Sequence, residues 1–396
     1  MGSNYTFEAH KPMENYHKCD VAFLVSVLLL WGLGMFTLFV CSQSYAVRFF
    51  NNDSFYFIKR QLLCSAVGLV LFVLFLFTDM EIIKKMIMYL VLVSIILCVM
   101  TFIPAFRIKK NGAYRWIKMP FNFSFQPSEL VKFALVLYLA AYFDKQMDKE
   151  ESQRDVLPCV GIFVLFLGLI LFQKDFSTTV FIAIVGISMF FVSGAKLKWI
   201  WPFLMLTIPL AIILITSEQY RMERIIGFLN PEEGASSFNY QVNASKNAIT
   251  AGGFWGTGIG RGLSKLDSIP EVQADYIFAG WTESMGFFGV VLYFALLGFF
   301  TWRGYKTAFN CPSRFAAYGS FGCVTTIVFQ SIVNCMVVCG IIPSTGIPLP
   351  FFSVGGSSII VTLAMCGFVL NASRCEEKNS NNYVYEDVNL DTLTIL

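Results

Sequence analysis

Charge is scarce in this chain. Only 14% of its 396 residues are Asp, Glu, Lys or Arg, while 56% are hydrophobic, and the mean hydropathy is +0.64. Soluble domains carry roughly 25% charged residues, so a soluble globular fold is excluded. Histidine is nearly absent, and both copies, His10 and His17, stand in the N-terminal tail. A zinc site or a Ser-His-Asp triad inside the apolar body therefore lacks its imidazole. No C-x-x-C occurs among the 11 cysteines, most of which lie inside apolar runs, so they read as small buried apolar residues and not as a disulfide framework. No A-x-A exit follows the first apolar run, which excludes a cleaved signal peptide. No strong internal repeat of the transporter kind is present. The net charge of +3 is too small to imply a nucleic-acid partner.

What remains is an integral polytopic membrane protein. Apolar runs fall at 21–41, 58–77, 86–105, 128–143, 157–172, 177–193, 199–217, 276–300, 315–341 and 349–371. The expected fold is all-α, with ten transmembrane helices. Ten is even, so both termini share one side. Lys and Arg favour that side fourteen to nine once the long loop and Lys132 are set aside, which predicts cytoplasmic termini. The divisions that follow are a cytoplasmic tail over 1–20, a membrane domain over 21–371 and a cytoplasmic tail over 372–396. Within the membrane domain, 218–275 is a long extracytoplasmic loop between helices 7 and 8. Connections in compact folds are usually a few residues long, and loops of this length are commonly functional or disordered.

Five of the nine outward basic residues lie between Arg107 and Lys118, in R-I-K-K-N-G-A-Y-R-W-I-K. A basic cluster on the outer face runs against the positive-inside rule. It is either a solvated loop touching headgroups or a site for an anionic substrate such as a phosphate. Next comes Q-P-S-E-L-V-K, in which Glu129 and Lys132 share one helix face just inside the membrane. They read either as a buried ion pair fixing helix packing or as the wall of a polar cavity. Asp175, in Q-K-D-F-S-T-T, is either a helix N-cap or a carboxylate beside the same cavity.

The long loop carries Gly252, Gly253, Gly256, Gly258, Gly260 and Gly262. No strand precedes them, so a dinucleotide fingerprint is disfavoured and backbone that packs closely on the membrane surface is expected. Phe238, Val242 and Ile249, set among Asn and Gln, predict a surface helix ahead of them. Four carboxylates then compete as catalysts: Asp267, Glu271, Asp275 and Glu283. Asp275 enters the bilayer and Glu283 lies roughly 12 Å deeper along a helix. Spacing alone does not choose between them. Finally, P-S-T-G-I-P-L-P-F-F-S-V-G-G-S-S, from Pro343 to Ser358, breaks helical structure at membrane depth. Such backbone is tolerated only against protein or a wet cavity.

In this order the motifs resemble the SEDS family (shape, elongation, division and sporulation), whose branches are FtsW, RodA and SpoVE. The matching elements are G-A-Y-R-W, Q-P-S-E-L-V-K, the Asp175 segment, G-G-F-W-G-T-G-I-G, I-P-E-V-Q-A-D-Y-I-F-A and T-G-I-P-L-P-F-F-S-V-G-G-S-S. The resemblance implies a peptidoglycan glycosyltransferase of the bacterial inner membrane, polymerising lipid II into a nascent glycan strand from an undecaprenyl-diphosphate carrier. It implies Asp275 as the essential aspartate and general base, and Glu129, Lys132 and Asp175 as cavity residues. Arg115, Lys110, Lys118 and Lys132 are then the cations available to the leaving diphosphate, with Glu283 and Ser357 further substrate-site candidates. A divalent cation, Mg2+ or Mn2+, could share that task, but no ligand spacing marks one. A class B penicillin-binding protein is the implied transpeptidase partner, within the divisome or elongasome. The division-type branch, at the septum, fits F-I-K-R-Q and the short G-L-S-K-L-D-S-I-P-E linker better than the elongation type. Departures from the family pattern are Ala274 for Thr, Tyr276 for Phe, Ser284 for Glu, Val354 for Tyr, and Phe176 and Ser177 for a small apolar residue and Gly. None removes a charge from the site. Two alternatives stay open: a flippase for the lipid-linked precursor, and a non-catalytic scaffold.

Overall fold

A computed structural model describes residues 19–50, 52–110, 113–120, 123–149, 156–194, 222, 224, 226–228, 237–259, 261, 269 and 272–374. The seventh apolar run, the carboxylates Asp267 and Glu271, and Gly260 and Gly262 lie outside the described residues, as do most of both tails. The helices are α1 (Val21–Phe49), α2 (Tyr56–Phe77), α3 (Met80–Met100), α4 (Pro127–Met147), α5 (Leu157–Phe172) and α6 (Phe176–Val192), followed by α7 (Ser237–Gly252), α8 (Ile277–Asn310), α9 (Arg314–Val338) and α10 (Gly356–Ala372). All but α7 coincide with an apolar run of the sequence. Five of them, α1, α2, α3, α8 and α9, are long and apolar enough to cross a membrane by themselves.

The chain runs up and down between two faces. At one face, Asp20 caps α1 and takes two hydrogen bonds from the Arg303 guanidinium near the end of α8, at 2.7 and 3.1 Å. Its backbone N–H donates to Ser373, just past α10. Lys84 pairs there with Asp144, and Arg314 with Asp148. Both ends of the described bundle therefore share a face. At the opposite face α2, α4, α6, α8 and α10 begin. α10 packs along α2 so closely that a Cβ on Gly367 would come 2.4 Å from the Phe72 carbonyl oxygen. Backbones approach this way in membrane bundles, where small residues replace the hydrophobic effect as the cause of association. Outward rows on α2 and α3, among them Leu63, Val70, Met88 and Tyr89, are exposed and suit a lipid-facing surface.

Three findings amend the sequence reading. The all-α expectation misses a three-stranded antiparallel sheet, β1 (Arg107–Lys110), β2 (Ala113–Lys118) and β3 (Ser124–Phe125), in order β1-β2-β3. Its cause is local: Ile108, Tyr114, Trp116 and Ile117 are β-branched or aromatic residues that favour strands, and the dipeptide between the strands in sequence is Asn-Gly, the strongest short hairpin signal. Ala113 and Ile117 turn inward and are buried. The last helix begins at Gly356 and not near 349, because 343–355 is irregular and fills the space above it. At 17 residues α10 spans only about 26 Å, short of the ~30 Å hydrocarbon core. The irregular segment makes up the rest against protein. Lastly, α8 is broken at Gly286, whose φ of 62° and ψ of −159° lie outside the helical region.

Candidate functional site

Of the five helices that begin at the face opposite the described chain ends, α4, α6, α8 and α10 each carry, at or just before the first turn, a residue singled out from the sequence. α4 begins with Pro127 at a first-turn position, where its missing N–H costs nothing. One turn on, Glu129 and Lys132 form a buried ion pair at 2.8 Å, their side chains 5% and 3% exposed. The Lys132 ammonium also donates to Gln330 Oε1 of α9 at 2.7 Å and lies 5.3 Å from the centre of the Phe181 ring. Gln330 in turn donates to the Pro348 carbonyl at 2.9 Å. The pair is thereby tied into the irregular segment above α10.

Asp175 performs the first of its expected tasks, the helix cap, and is fully buried. As N-cap of α6 it accepts from Thr178 N at 3.3 Å. Its other oxygen accepts from Gln126 Nε2 at 3.3 Å, and the Arg115 guanidinium stands 3.6 Å away. Gln126 N donates to Ser357 Oγ in the first turn of α10. The sheet thus delivers Arg115 inward to Asp175 and leaves Lys118 exposed at the end of β2. Lys110 pairs through its backbone with Ala113. Lys174 and Phe351 adopt left-handed backbone at φ 63° and 67°, conformations that cost a non-glycine residue of order 1 kcal/mol and persist where surrounding contacts fix them.

Asp275 stands at the mouth of α8, two residues before its first helical residue, and is partly exposed. The backbone over Gln273–Asp275 is held at three carbonyls. Asn334 Nδ2, one turn beyond Gln330 on α9, donates to the carbonyls of Asp275 and Ile347, both at 2.9 Å. Ser353 donates to the Ala274 carbonyl, and Val354 N to the Gln273 carbonyl at 2.9 Å. Asp275 Oδ2 faces Gly346, where an added Cβ would lie 3.5 Å away. Glu283, two turns into α8, is fully buried, and its carbonyl accepts from the N–H and hydroxyl of Thr257.

The glycine run has a specific partner. Residues 253–258 lie along the break in α8, with Thr257 N on Glu283 O, Gly258 N on Ser284 O and Phe287 N on Gly253 O. A Cβ on Gly256 would fall 2.2 Å from Ser284 O, and one on Gly286 2.4 Å from Gly256 N. The loop backbone satisfies the groups that the broken helix releases. The surface helix expected before it is α7. It docks on the bundle, with Ser245 and Ala248 buried and Ser245 Oγ donating to the Val338 carbonyl at 2.8 Å.

Gln330, Asn334 and Gln126 went unremarked in the sequence, although Gln330 and Asn334 are an i,i+4 amide pair on an apolar helix. That spacing puts both on one face, and an amide in such a helix must find a partner. Among the described residues, no group of three or more His, Cys, Asp or Glu side chains is placed to hold a metal ion.

Long apolar helices packed in this way define a multi-pass membrane protein. The chain belongs to the FtsW/RodA/SpoVE family, described as "Cell cycle protein", which matches residues 21–378. It is 34% identical over 355 residues to "Probable peptidoglycan glycosyltransferase FtsW" of Trichlorobacter lovleyi, covering 89% of this chain and 93% of that one. "Stage V sporulation protein E" of Bacillus subtilis is 33% identical over 356 residues, covering 90% and 97%. Among solved structures, a chain from "Structural coordination of polymerization and crosslinking by a peptidoglycan synthase complex" superposes with a TM-score of 0.71 at 26% identity, covering 90% of this chain and 98% of that one. The rod shape determining protein RodA of Thermus thermophilus shares the fold, with a TM-score of 0.64 at 24% identity, covering 90% and 97%.

Proposed function

We propose that this chain is a peptidoglycan glycosyltransferase that polymerises lipid II at the outer face of the bacterial inner membrane, with Asp275 as general base. The observation that carries the reading is the position of Asp275. Its carbonyl is held by Asn334 and the two residues before it by Ser353 and Val354, and it shares one bundle face with Glu129, Lys132 and Asp175. The name of the Trichlorobacter lovleyi relative, probable peptidoglycan glycosyltransferase FtsW, supports the reaction class and the division-type branch.

The chemistry is a single displacement. The acceptor 4-hydroxyl oxygen attacks C1 of the donor sugar while the C1–O bond to the carrier diphosphate breaks, the electron pair leaving with the phosphate oxygen. The acceptor proton passes to Asp275. One face of C1 is taken by the leaving group, so the product is inverted. Four helix N-termini directed at this face add partial positive charge where the diphosphate's negative charge must be held. Arg115 and Lys132 are engaged by Asp175 and by Glu129 with Gln330, so here they position carboxylates and amides as well as supply charge. A divalent cation, Mg2+ or Mn2+, would take ligands from the substrate's own phosphates.

Ten membrane crossings with cytoplasmic termini fit this arrangement. α6 ends at the face of the described chain ends and α8 begins at the other. The connection needs an odd number of crossings, and the apolar run 199–217 is long enough for one. The domain divisions at 20, 218, 275 and 371 follow from the same topology. The solved complex that couples polymerization with crosslinking supports a transpeptidase partner, here a class B penicillin-binding protein at the septum. A flippase would carry ionisable groups through both halves of its path. Here the pairs facing the opposite boundary, such as Lys84–Asp144 and Arg314–Asp148, lie at helix ends. Purified protein, with its partner, is expected to convert labelled lipid II into glycan polymer. Lipid translocation in vesicles with no polymer formed would replace this reading with the flippase.

A further inference from the structure

The sequence marks F-I-K-R-Q, and the site described above leaves it unused. Its glutamine, Gln61, lies in the second turn of α2 and is 2% exposed. A side-chain amide carries two donors and an acceptor, and burying it is costly unless they are met. Gln61 meets them on one stretch of backbone far away in sequence. Its Nε2 donates to the Ser353 carbonyl at 3.2 Å, and its Oε1 accepts from Gly355 N at 3.4 Å. One amide thereby spans both ends of the turn over 353–355.

The same turn holds the segment that carries Asp275. Ser353 Oγ donates to the Ala274 carbonyl, and Val354 N to the Gln273 carbonyl at 2.9 Å. Ser353 Oγ also accepts from Leu349 N at 2.9 Å, which closes the turn. Contacts therefore run from α2 to 353–355, on to Gln273 and Ala274, and so to Asp275. The α2 end of this chain is itself fixed. A Cβ on Gly356 would come 2.8 Å from Cys64 Sγ, and one on Gly68 3.1 Å from Ile360 Cα, so α2 and α10 lie closely packed. The Arg60 guanidinium, beside Gln61, stands 5.0 Å from the centre of the Phe123 ring, just ahead of β3. By contrast 343–355 is irregular backbone, which depends on such contacts for its position.

We infer that Gln61 is a positioning residue for the proposed base: by fixing 353–355 it sets where the Asp275 carboxylate meets the acceptor hydroxyl. The effect on rate rests on the polymerase reading. In this role Gln61 touches backbone, not substrate. Proton transfer needs the carboxylate within hydrogen-bond reach of the hydroxyl. A shift of about 1 Å can lower the rate about a hundredfold.

The test separates position from packing. Gln61→Met keeps the length and removes both contacts. Gln61→Asn keeps an amide, one methylene short of the bridge, and serves where the Met variant does not fold. Wild-type and variants, each with the partner transpeptidase, are assayed with labelled lipid II, and their backbones are followed by hydrogen–deuterium exchange mass spectrometry. Both Gln61 variants should lower kcat about tenfold or more, with KM within about twofold of wild type. Exchange should quicken about tenfold over 353–355 and 273–276 and stay unchanged in α5. Ser65→Ala, one turn along α2, removes the acceptor of the Trp31 indole N–H and should leave kcat within about twofold of wild type. Combining Gln61→Met with Ser353→Ala should lose no more than the larger single, because both act through one turn. A kcat within about twofold of wild type in a folded Gln61 variant overturns the inference. So does a raised KM at unchanged kcat, which marks a substrate contact. A Ser65→Ala loss as large as that of Gln61→Met overturns it in favour of helix packing, and so does a double whose loss is the product of the singles. Wild-type protein that makes no polymer removes the polymerase reading, and exchange over 273–276 still decides whether Gln61 holds the Asp275 segment.

Discussion

Replacing Lys132 with Met should be among the most damaging single changes in the membrane domain, and its size can be worked from the geometry. Lys132 and Glu129 meet at 2.8 Å with side chains 3% and 5% exposed. At an effective dielectric of about 20, their gross attraction is about 6 kcal/mol. The net value is smaller, because removing two ions from water costs several kcal/mol each. Met keeps the aliphatic packing near Phe181 and removes the charge, so Glu129 is left buried without its counter-ion. Gln330 Oε1 also loses its 2.7 Å donor. Removing one partner of a buried pair costs roughly 3–5 kcal/mol. Replacing both, as Glu129→Gln with Lys132→Met, leaves no uncompensated charge and should cost about 2 kcal/mol or less. The assay is equilibrium unfolding in mixed detergent and SDS micelles, followed by tryptophan fluorescence, on the two singles and the double. A Lys132→Met protein destabilised by under about 1 kcal/mol, or a double as unstable as that single, refutes the reasoning.

Two further changes probe the scaffold. Gly286→Val forces a β-branched residue to φ 62° and into Phe254 and Gly256 backbone atoms within 2.7 Å; it should unseat the 253–258 loop, seen as rapid proteolysis between α7 and α8 while the other helices stay protected. Asn334→Leu strands the carbonyls of Asp275 and Ile347, which should cost about 1–3 kcal/mol and lower polymer formation more than tenfold while lipid II binding persists. Unchanged polymerisation by Asn334→Leu would show that Asp275 needs no such clamp.

The apolar runs gave the described membrane helices because a bilayer requires long apolar segments with internally satisfied backbone. That demand is written residue by residue. The i,i+3 spacing of Glu129 and Lys132 gave their pairing for the same local reason. The capping role of Asp175 was legible too, though its partners Gln126 and Arg115 come from elements 49 and 60 residues away in sequence. Long-range partners leave no periodic trace, which is why Arg115 read as a free cation. The sheet is masked by the charge of the basic segment, although Tyr114, Trp116 and Ile117 are strand-favouring residues. The glycine run read as membrane-surface backbone because its partner, a break in α8, is marked only by Gly286. Periodicity places that glycine inside a continuous helix.

The most direct test of the account is glycan polymerisation by the Asp275→Asn protein. Asparagine keeps the size and the backbone contacts of Asp275 but cannot accept a proton at neutral pH. Purified Asp275→Asn and wild-type proteins, each with the partner transpeptidase, are given labelled lipid II, and chain products are resolved by gel electrophoresis. The account predicts normal folding, retained lipid II binding and no detectable polymer from Asp275→Asn. Polymer at a near-wild-type rate would contradict it and move the base to another residue of the site.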